Sequence, residues 1–593
     1  MLQVTDLAVS IASEWGKLPA VRKVSFELQA GETLALVGES GCGKSLTALA
    51  LMRLLPEDAW IEGGDVLLDG TSLVDLSEGD MRRVRGRRLS MIFQEASGSL
   101  NPVVTVGEQI EEVLRLQTSL SRNERKVRVN AWLQRVGLAN APVVAQSYPF
   151  ELSGGQKQRV LIAMALAAEP EVVIADEPTT ALDVTLQAQI LTLLKTMQRE
   201  RRLALLLITH DLAVVKHHAD RVALMYAGEV VETAACAEFF AAPQHPYAML
   251  LRSVPSKTKR GAVLWGIPGR VPPLTDIPEG CAFAPRCHRA QEACRTQGIA
   301  MTMTASRHEV RCLSPQVSGA AWAEDGIRAQ TKKIGGPLLT VDKLTVDFVK
   351  SRGWGRRPLV TRALSDVTMT VSAGETLALV GESGSGKTTL GKTILGLLDK
   401  QARVSGTVDL AGRRVREGRH FDAVPVRRTA QMIFQDPYAS LDPRMTVGET
   451  IKEGMHQGQD GTLKSVEELL ELVELPRDAA RRLPYEFSGG QRQRIAVARA
   501  LASAPKLIIC DEPTSALDVS VQAQIMNLLA RVQEETQIAY LFITHNLAVV
   551  EYFADRIAVM KAGTLVETGT TDVVLAHPQN LYTRALWRAV PRL

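Results

Sequence analysis

Two glycine-rich segments of this 593-residue chain place glycine, lysine and a hydroxyl residue at a spacing that suits phosphate binding. Residues 38–45 and 381–388 both fit the pattern G-x-x-x-x-G-K-[ST]. In such a loop, backbone N–H groups and a helix N-terminus converge on phosphate oxygens. The lysine would reach the β- and γ-phosphates of a nucleoside triphosphate, and the hydroxyl residue after it would ligate Mg²⁺. The residues assigned to the two phosphate loops are Gly38, Ser40, Gly41, Gly43, Lys44, Ser45, Leu46, Gly381, Ser383, Gly384, Gly386, Lys387, Thr388 and Thr389.

An acidic pair closes a later apolar run in each half of the chain. Asp176 precedes Glu177, and Asp511 precedes Glu512. The first acid of each pair suits Mg²⁺, held directly or through water, and the second suits polarising an attacking water. Together with the phosphate loops, the acidic pairs predict triphosphate hydrolysis.

The two halves are copies of one domain. Gly31–Gly41 and Gly374–Gly384 are identical, and Asp176–Ile190 and Asp511–Ile525 differ at three positions. The repeat is far longer than the roughly 20–50 residues of solenoid units. The predicted parts are a first domain at 1–240, an extension with proline and cysteine at 241–315, a flexible linker at 316–336, a second domain at 337–575 and a short C-terminal extension at 576–593.

Apolar runs of strand length precede these motifs, and helical patterns follow several of them, which predicts an α/β fold in each copy. Continuous apolar runs are typical of strands buried on both faces of a mostly parallel sheet, and ligands bind at the carboxyl ends of such strands. The predicted strands are Thr33–Val37, Val172–Ala175, Leu203–Ile208, Thr376–Val380, Leu507–Cys510 and Ala539–Ile543. The predicted helices are Leu46–Leu55, Leu186–Met197, Thr389–Leu398 and Val521–Val532.

Composition and charge exclude several classes of protein. Hydrophobic residues make up 46% of the chain and charged residues 23%, which is typical of a soluble globular protein. A formal charge of +4 over this length does not argue for nucleic-acid binding. No apolar run approaches the ~20 residues of a membrane-spanning helix, and Met1–Ser10 lacks the features of a signal peptide. We therefore expect a cytosolic protein whose membrane role, if it has one, comes through partner subunits.

The segments Leu152–Gln156 and Phe487–Gln491 resemble the signature sequence of ATP-binding cassette (ABC) ATPases, and the order of the surrounding motifs is similar over nearly the whole of both copies. The resemblance implies Q-loop glutamines at Gln94 and Gln435, D-loops at Ala181–Asp183 and Ala516–Asp518, switch histidines at His210 and His545, and adenine-stacking aromatics at Trp15 and Trp354. It implies nucleotide contacts from Ser153, Gly154, Gly155, Gln156, Ser488, Gly489, Gly490 and Gln491. The implied Mg²⁺ ligands are Ser45, Gln94, Asp176, Thr388, Gln435 and Asp511. The expected catalytic residues are Glu177, His210, Gln94, Glu512, His545 and Gln435.

The resemblance implies two tandem P-loop ABC ATPase domains, each with a mostly parallel sheet core and a helical subdomain. The two cassettes would form an internal head-to-tail pseudo-dimer, with each ATP held between the phosphate loop of one copy and the signature of the other. Ser153 begins a helix, so the N–H groups after it can point at a γ-phosphate. Neither copy has lost its catalytic glutamate or altered its signature, so we expect two hydrolytic sites.

The segment His245-Pro-Tyr247 resembles the C-terminal extension of oligopeptide/dipeptide/nickel importer ATPases, and His577–Tyr582 is a shorter version of it. This resemblance implies the ATP-hydrolysing subunit of a bacterial importer for short peptides or related small solutes. Nickel or other metal chelates, opines and glutathione-like compounds stay open as solutes. The implied partners are two transmembrane permease subunits and a periplasmic solute-binding protein. The implied location is peripheral, at the cytoplasmic face of the bacterial inner membrane.

Four cysteines fall within the extension after the first copy: Cys281, Cys287, Cys294 and Cys312. A cluster of thiols in a reducing cell suggests metal, but the spacing lacks the paired CxxC knuckles of most zinc sites. Four thiolates can hold a [4Fe–4S] cluster, and cysteine arrays of this kind do so in some importer ATPases of the family that the chain resembles. We expect such a cluster, with zinc or unliganded thiols as alternatives. His288 and His308 are potential substitute ligands but are expected at the surface, and Cys42 and Cys510 are expected to be small apolar fillers.

Two further classes of ATPase are alternatives to a transport protein. A soluble twin-cassette protein that acts on ribosomes usually carries a long charged helical linker, whereas the linker here is short and rich in glycine and alanine. A DNA-repair ATPase with zinc modules is disfavoured by the small net charge and by the absence of CxxC pairs.

Overall fold

The computed structural model of the chain describes residues 1–94, 96–179, 183–253, 264, 267, 269–304, 308–315, 332–350, 359–399, 402–455, 464–515, 517 and 519–589. Several predicted features lie outside the described residues: Trp354, Ala181, Leu182, Ala516, Asp518 and residues 316–331 of the predicted linker.

The first copy contains two sheets. Its strands are β1 (Leu2–Ser13), β2 (Gly16–Leu28), β3 (Thr33–Val37), β4 (Ala59–Leu68), β5 (Thr71–Ser72), β6 (Leu89–Ile92), β7 (Val172–Asp176), β8 (Ala204–Thr209), β9 (Arg221–Tyr226) and β10 (Glu229–Ala235). The smaller sheet has the order β2-β1-β4-β5 and is antiparallel. The larger sheet runs β10-β9-β3-β8-β7-β6, and its strands from β9 to β6 are parallel.

Helices of the first copy surround the larger sheet and form the segment between β6 and β7. They are α1 (Lys44–Leu51), α2 (Glu78–Val84), α3 (Ala96–Ser99), α4 (Val106–Gln117), α5 (Arg122–Arg135), α6 (Ala141–Ala145), α7 (Gly154–Ala167), α8 (Val184–Arg201) and α9 (Leu212–His218). Helices α4, α5 and α7 pack on one another around Ile110, Trp132 and Ile162, all buried. This packing forms the helical subdomain that the family resemblance implies.

The extension after the first copy packs onto the edge of its larger sheet. Helix α10 (Cys236–Ala241) leads into the extension, which contains α11 (Pro246–Ser253), α12 (Ala293–Thr296), β11 (Thr302–Met303) and β12 (Glu309–Val310). Strand β12 pairs with β10, so that the extension continues the sheet of the domain before it. Tyr247, Phe283 and Tyr226 pack edge to face or tilted at the centre of this contact.

The second copy repeats the plan. Its strands are β13 (Pro337–Lys350), β14 (Leu359–Ser372), β15 (Thr376–Val380), β16 (Ala402–Leu410), β17 (Arg413–Glu417), β18 (His420–Phe421), β19 (Ala430–Ile433), β20 (Leu507–Asp511), β21 (Ala539–Thr544), β22 (Arg556–Lys561) and β23 (Thr564–Thr570). Its helices are α13 (Lys387–Leu395), α14 (Ala423–Thr429), α15 (Pro437–Ser440), α16 (Val447–Met455), α17 (Val466–Leu472), α18 (Gly489–Leu501), α19 (Val519–Thr536), α20 (Leu547–Phe553), α21 (Thr571–Ala576) and α22 (Leu581–Ala589). The larger sheet has the order β19-β20-β21-β15-β22-β23.

Each predicted strand and helix is present, but α1 ends at Leu51 rather than Leu55, and α13 ends at Leu395 rather than Leu398, where Gly396 takes the left-handed cap position. Strands β3 and β15 have the predicted bounds, and every residue of both is buried, as expected for strands covered on both faces. Strands β7 and β20 each extend one residue further than predicted and end on the first acid of the acidic pair. Helix α1 begins at Lys44 rather than Leu46, because Gly43 takes the left-handed cap position just before it.

The prediction for His308 is wrong. This residue was expected at the surface, but it is buried, and its Nε2 lies 2.8 Å from Oε1 of the buried Glu232. The cause is the pairing of β12 with β10, which brings the two residues together across 76 positions of sequence. His288 is exposed, and Cys42 and Cys510 are fully buried, as predicted.

Within the described residues, no helix is both long and apolar enough to cross a membrane.

Candidate active site

The first phosphate loop lies between β3 and α1 and is shaped by glycine. Gly43 has φ +102°, and a Cβ there would lie 2.8 Å from the carbonyl oxygen of Ala20. The buried Lys44 donates from Nζ to the carbonyl oxygens of Gly38 and Glu39 at 2.8 and 2.9 Å. The lysine therefore lies across the loop, with its ammonium where phosphate oxygens would be bound.

The second phosphate loop has the same geometry. Gly386 has φ +105°, and a Cβ there would lie 2.7 Å from the carbonyl oxygen of Ala363. Lys387 donates from Nζ to the carbonyl oxygens of Gly381 and Glu382 at 2.7 and 2.8 Å. Burial lowers the pKa of Lys387, which favours a site where an anion restores the charge.

The first acid of each pair lies beside the hydroxyl residue of its phosphate loop. Thr388 Oγ1 donates to Asp511 Oδ1 at 3.0 Å, and in the first copy the Ser45 hydroxyl lowers the pKa of the Asp176 carboxyl against the larger effect of burial. Burial raises the pKa of Asp176, and it raises that of Asp511 to about 6. Among the described atoms, the buried Asp176 Oδ1 has no hydrogen-bond partner. A hydroxyl and an unsatisfied carboxylate oxygen are the hard donors that Mg²⁺ takes, so the residues fit this metal.

Glu177 is held by the two side chains that the family resemblance assigns to the Q-loop and the switch. Gln94 Nε2 donates to Glu177 Oε2 at 3.1 Å, and His210 Nδ1 lies 2.9 Å from Glu177 Oε1. Burial lowers the pKa of His210 and the pairing with Glu177 raises it, with a net rise. Glu177 itself has φ +46°, and its N–H donates to the carbonyl oxygen of Ile208 at 2.9 Å. This turn at the end of β7 sends the carboxylate past the edge of the sheet.

The second copy reproduces this arrangement. Gln435 Nε2 donates to Glu512 Oε2 at 3.1 Å, His545 Nδ1 lies 3.1 Å from Glu512 Oε1, and Glu512 has φ +47°. Burial raises the pKa of Glu512 and His545 lowers it, with a net fall that favours the carboxylate. A charged carboxylate held by two side chains suits the polarisation of water in both copies.

The two signature segments begin helices whose N-termini are exposed. Ser153 caps α7 by accepting from the N–H of Gln156, and Gln156 accepts in return from the N–H of Ser153. Ser488 and Gln491 form the same capping box on α18. Each helix therefore presents free N–H groups and the positive end of its dipole to the surface.

The two copies meet on the side where the first D-loop ends. The charge of Asp183, the residue before α8, raises the pKa of Lys387 against the larger effect of burial, and it adds to burial in raising that of Tyr582 to about 12. Helix α8 of the first copy also packs against α22 of the second. A residue of one copy thus lies within electrostatic range of the other copy's phosphate loop, as a head-to-tail arrangement requires.

The structure places Trp15 in the turn between β1 and β2, with 78% of its surface exposed. An exposed aromatic ring is available to stack on a base.

The four cysteines of the extension are brought together. Cys281, Cys287, Cys294 and Cys312 line one small cavity. Burial raises the pKa of Cys281 to about 11, and the other three thiols of the group add to this rise. Within the described residues, however, no group of three or more His, Cys, Asp or Glu has an arrangement that could hold a metal ion. The expected [4Fe–4S] cluster, and the zinc alternative, are therefore not supported by the geometry.

The sequence does not predict the contacts that Arg286 and Tyr247 make with the first phosphate loop. Arg286, next to Cys287, forms a two-pronged ion pair with Glu39 of the loop, and the N–H of Glu39 donates to the hydroxyl of Tyr247 at 2.8 Å. Tyr247 belongs to the His-Pro-Tyr segment, and this segment is the sequence feature from which its contact with the loop could have been predicted. Nothing in the sequence pattern marks Arg286, because its partner is 247 positions away.

Comparison with known proteins places these features in families. The model of the family described as "ABC transporter" matches residues 21–180 and 364–515. The model of the family described as "Oligopeptide/dipeptide transporter, C-terminal region" matches residues 231–294 and 566–593. The chain is 45% identical over 606 residues to the glutathione import ATP-binding protein GsiA of Escherichia coli (strain K12), covering 100% of this chain and 89% of that protein. It is 41% identical over 606 residues to the oligopeptide transport ATP-binding protein OppD of Mycobacterium tuberculosis, covering 100% of this chain and 98% of that protein.

Proposed function

The chain belongs to the ABC transporter family as a tandem-cassette transport ATPase, and from this premise we propose that it energises a bacterial importer for short peptides or related small solutes. The observation that supports hydrolysis in both copies is the pair of glutamates, each held by a glutamine and a histidine beside a phosphate loop. Glutathione is itself a short peptide, so the two kinds of relative agree on the class of solute. Metal chelates and opines are the alternatives.

In the proposed reaction, the N–H groups and the lysine of each phosphate loop bind and orient the triphosphate. Glu177 in one copy and Glu512 in the other accept a hydrogen bond from the attacking water and aim it at the γ-phosphorus. Gln94 and Gln435 restrain these carboxylates from one side, and the two switch histidines restrain them from the other. Bound Mg²⁺ supplies positive charge to the β- and γ-phosphate oxygens.

We further propose that each site is composite. The first would join the loop at 38–45 to Ser488–Gln491, and the second would join the loop at 381–388 to Ser153–Gln156. The proximity of Asp183 to Lys387 supports this pairing for the second site. ATP binding would then draw the cassettes together, and hydrolysis would release them.

The proposed partners are two transmembrane permease subunits and, through them, an extracytoplasmic solute-binding protein, with the ATPase peripheral at the cytoplasmic face of the membrane. The helical subdomain offers a contact surface for the permeases. Val103 and Phe150 of the first copy are 78% and 70% exposed, and Phe150 stacks on Tyr148 with ring centroids 5.5 Å apart. Tyr438 and Tyr485 are exposed in the second copy. We propose that these exposed side chains take part in the contact with the permeases.

The domain boundaries proposed with this function are 1–240 and 337–575 for the cassettes, 241–315 and 576–593 for their extensions, and 316–336 for the linker. The relatives matched over the whole chain are named as transport proteins, so the ribosome and DNA alternatives are not carried forward.

The proposed hydrolysis is tested with Glu177→Gln and Glu512→Gln, singly and together, in the complex reconstituted with its permeases in vesicles. We expect each single variant to lose most of the ATP turnover and the double variant to lose all of it, because the amide cannot accept the proton of water. Solute uptake should fall in parallel. A single variant with wild-type turnover would contradict the assignment of two hydrolytic sites.

We also propose the [4Fe–4S] cluster for the four cysteines, because four thiolates can ligate such a cluster and all four line one cavity, although they do not have the arrangement of a metal site in this structure. The test is an iron and sulfide assay with a visible spectrum on protein purified without oxygen. A colourless protein with stoichiometric zinc would overturn it in favour of zinc.

A further inference from the structure

We propose that Arg286 is a positioning residue of the first nucleotide site and that it holds the phosphate loop in place through Glu39. Through this contact the first phosphate loop, but not the second, depends on the cysteine-bearing extension. The inference rests on the proposed function in one respect, namely that the loop at 38–45 binds the phosphates of ATP.

The contact between Arg286 and Glu39 is buried and two-pronged. Arg286 Nη1 donates to Glu39 Oε2 at 2.5 Å, and Nη2 donates to Oε1 at 3.1 Å. The side chains are only 4% and 6% exposed. The guanidinium also lies over the ring of Tyr226, at 5.7 Å, and Nη1 donates to the hydroxyl of that residue at 3.2 Å. A buried pair with such geometry fixes the position of both side chains.

Glu39 is held by three groups at once. Its side chain pairs with Arg286, its N–H donates to the Tyr247 hydroxyl at 2.8 Å, and its carbonyl oxygen accepts from Lys44 Nζ at 2.9 Å. Glu39 directly follows Gly38, the first glycine of the motif. A shift of the Arg286 side chain would therefore move the backbone that accepts from Lys44, and with it the lysine meant for the phosphates.

The second copy has only part of this support. The N–H of Glu382 donates to the Tyr582 hydroxyl at 3.1 Å, as Glu39 does to Tyr247. Glu382 is half-buried, and no arginine pairs with it in the part of the chain that the structure describes. The arginine contact thus distinguishes two sites whose catalytic geometry is otherwise matched.

The same extension also contacts the second copy. Arg286 Nη2 donates to the carbonyl oxygen of Ile267 at 3.2 Å. Three residues earlier, Leu264 exchanges two hydrogen bonds with the side chain of Asn527 on α19, at 2.9 and 2.7 Å. The extension is therefore fixed to the first phosphate loop at one end and to a helix of the second cassette at the other.

Because the ion pair between Arg286 and Glu39 is buried, the single and double variants should differ in ATP binding. Removing Arg286 alone leaves the Glu39 carboxylate buried without its main counter-charge, whereas replacing both partners removes the charge as well. The double variant should therefore be closer to wild type than the Arg286 variant. Simple loss of packing would make the double variant worse.

The test measures ATP affinity separately for the two sites of the intact chain. The full-length protein is photolabelled with increasing 8-azido-ATP and Mg²⁺, then cleaved in the predicted linker, and the label in each half is quantified. We expect Arg286→Met to raise the dissociation constant for 8-azido-ATP at least fivefold in the first half of the chain. In the second half, this constant should rise less than twofold. When Glu39→Gln is combined with Arg286→Met, the logarithm of the dissociation constant of the first half should return at least halfway to the wild-type value.

The matched control is Arg295→Met, because Arg295 directly follows Cys294 but is exposed, and it should change neither half by more than twofold. If Arg286→Met does not yield folded protein, Arg286→Lys keeps the charge but not the two-pronged contact, and should weaken the first half at least threefold. In each variant, photolabelling of the second half by 8-azido-ATP shows that the chain is folded. Equal weakening of both halves, an unchanged first half, or a double variant worse than Arg286→Met would overturn the inference.

Lys44→Ala separates this inference from the proposed function. If the first half is still labelled with wild-type affinity in Lys44→Ala, the phosphate-loop assignment itself is wrong. If Lys44→Ala loses label while Arg286→Met keeps it, only the role of Arg286 fails.

Discussion

At the scale of single residues, the chemistry depends on where two glutamates are held. Glu177 and Glu512 occupy left-handed backbone conformations, which cost a non-glycine residue about 1–2 kcal/mol. In exchange, each carboxylate projects beyond its strand and meets the Q-loop glutamine and the switch histidine. Both copies keep this strained turn, which a purely structural duplicate would have no reason to retain.

The contact between Glu177 and His210 predicts a defect in turnover rather than in binding. His210→Ala removes one of the two side chains that restrain Glu177, and His545→Ala does the same for Glu512. We expect each change to lower kcat by about 10²-fold, the lower end of the contribution of positioned acid–base groups. The KM for ATP should change less than twofold, because Lys44 and Lys387 do not contact these histidines. Steady-state kinetics check this, and a raised KM at unchanged kcat would contradict it.

At the scale of elements, the parallel strands explain why the motifs meet. Strands β3, β7 and β8 lie side by side in one direction, so the phosphate loop, the acidic pair and the switch histidine all emerge at their shared carboxyl edge. The extension uses a different device, since β12 adds to the far edge of the same sheet. Two of its buried side chains pair with residues of the first copy, Arg286 with Glu39 and His308 with Glu232.

The buried His245 makes the extension sensitive to acid. Burial lowers its pKa from 6.5 to about 3, while the unfolded chain keeps the ordinary value. Its neighbours are Glu232, which accepts from the backbone N–H of His245, and His308, which pairs with the same carboxylate. Below pH 6.5 the unfolded state takes up a proton that the native state refuses, so stability falls as pH falls, by at most about 1.4 kcal/mol per pH unit.

We therefore expect the unfolding temperature to fall less between pH 7.5 and pH 5.5 in His245→Asn than in the wild type. Asparagine keeps an acceptor for the N–H of Tyr247 but does not titrate. The control is His577→Asn at the corresponding exposed position of the second copy, which should leave the pH dependence unchanged. Calorimetry at the two pH values makes the comparison, and equal pH slopes for His245→Asn and wild type would count against it.

Local pattern and repetition predicted the strands, the phosphate loops and the acidic pairs, because these depend on residues close together in the sequence. Strand β3 is a run of five buried apolar or β-branched residues before a glycine turn, and nothing distant is needed to identify it. Arg286 and His308 were missed or misplaced because their environments depend on pairings across 247 and 76 residues. The electrostatic effect of Asp183 on Lys387 of the second copy could be expected only from the family resemblance.

At the scale of the whole molecule, the two cassettes are coupled by contacts on more than one side. Helix α8 packs against α22, Asp183 lies near Lys387, and Leu264 is bonded to Asn527. The two packing or bonding contacts and the electrostatic effect all join the first copy or its extension to the second.

The head-to-tail arrangement predicts that a change in one signature weakens ATP binding at the other copy's phosphate loop. Gly154 and Gly489 are the first helical residues of α7 and α18, and a Cβ at Gly154 meets no described atom within 4 Å, while one at Gly489 meets only Leu517, at 3.9 Å. An aspartate therefore fits in each cassette, but its charge would face a γ-phosphate docked on the helix N-terminus.

We expect Gly154→Asp to weaken photolabelling of the second half by 8-azido-ATP at least fivefold and that of the first half less than twofold. Gly489→Asp should do the reverse, so the two variants serve as controls for each other. The positive end of the helix dipole and the free N–H groups would otherwise stabilise the phosphate, and the carboxylate cancels both effects. If each variant weakened labelling of its own half instead, the phosphate loop and signature of one cassette would serve the same nucleotide, and the composite sites would have to be abandoned.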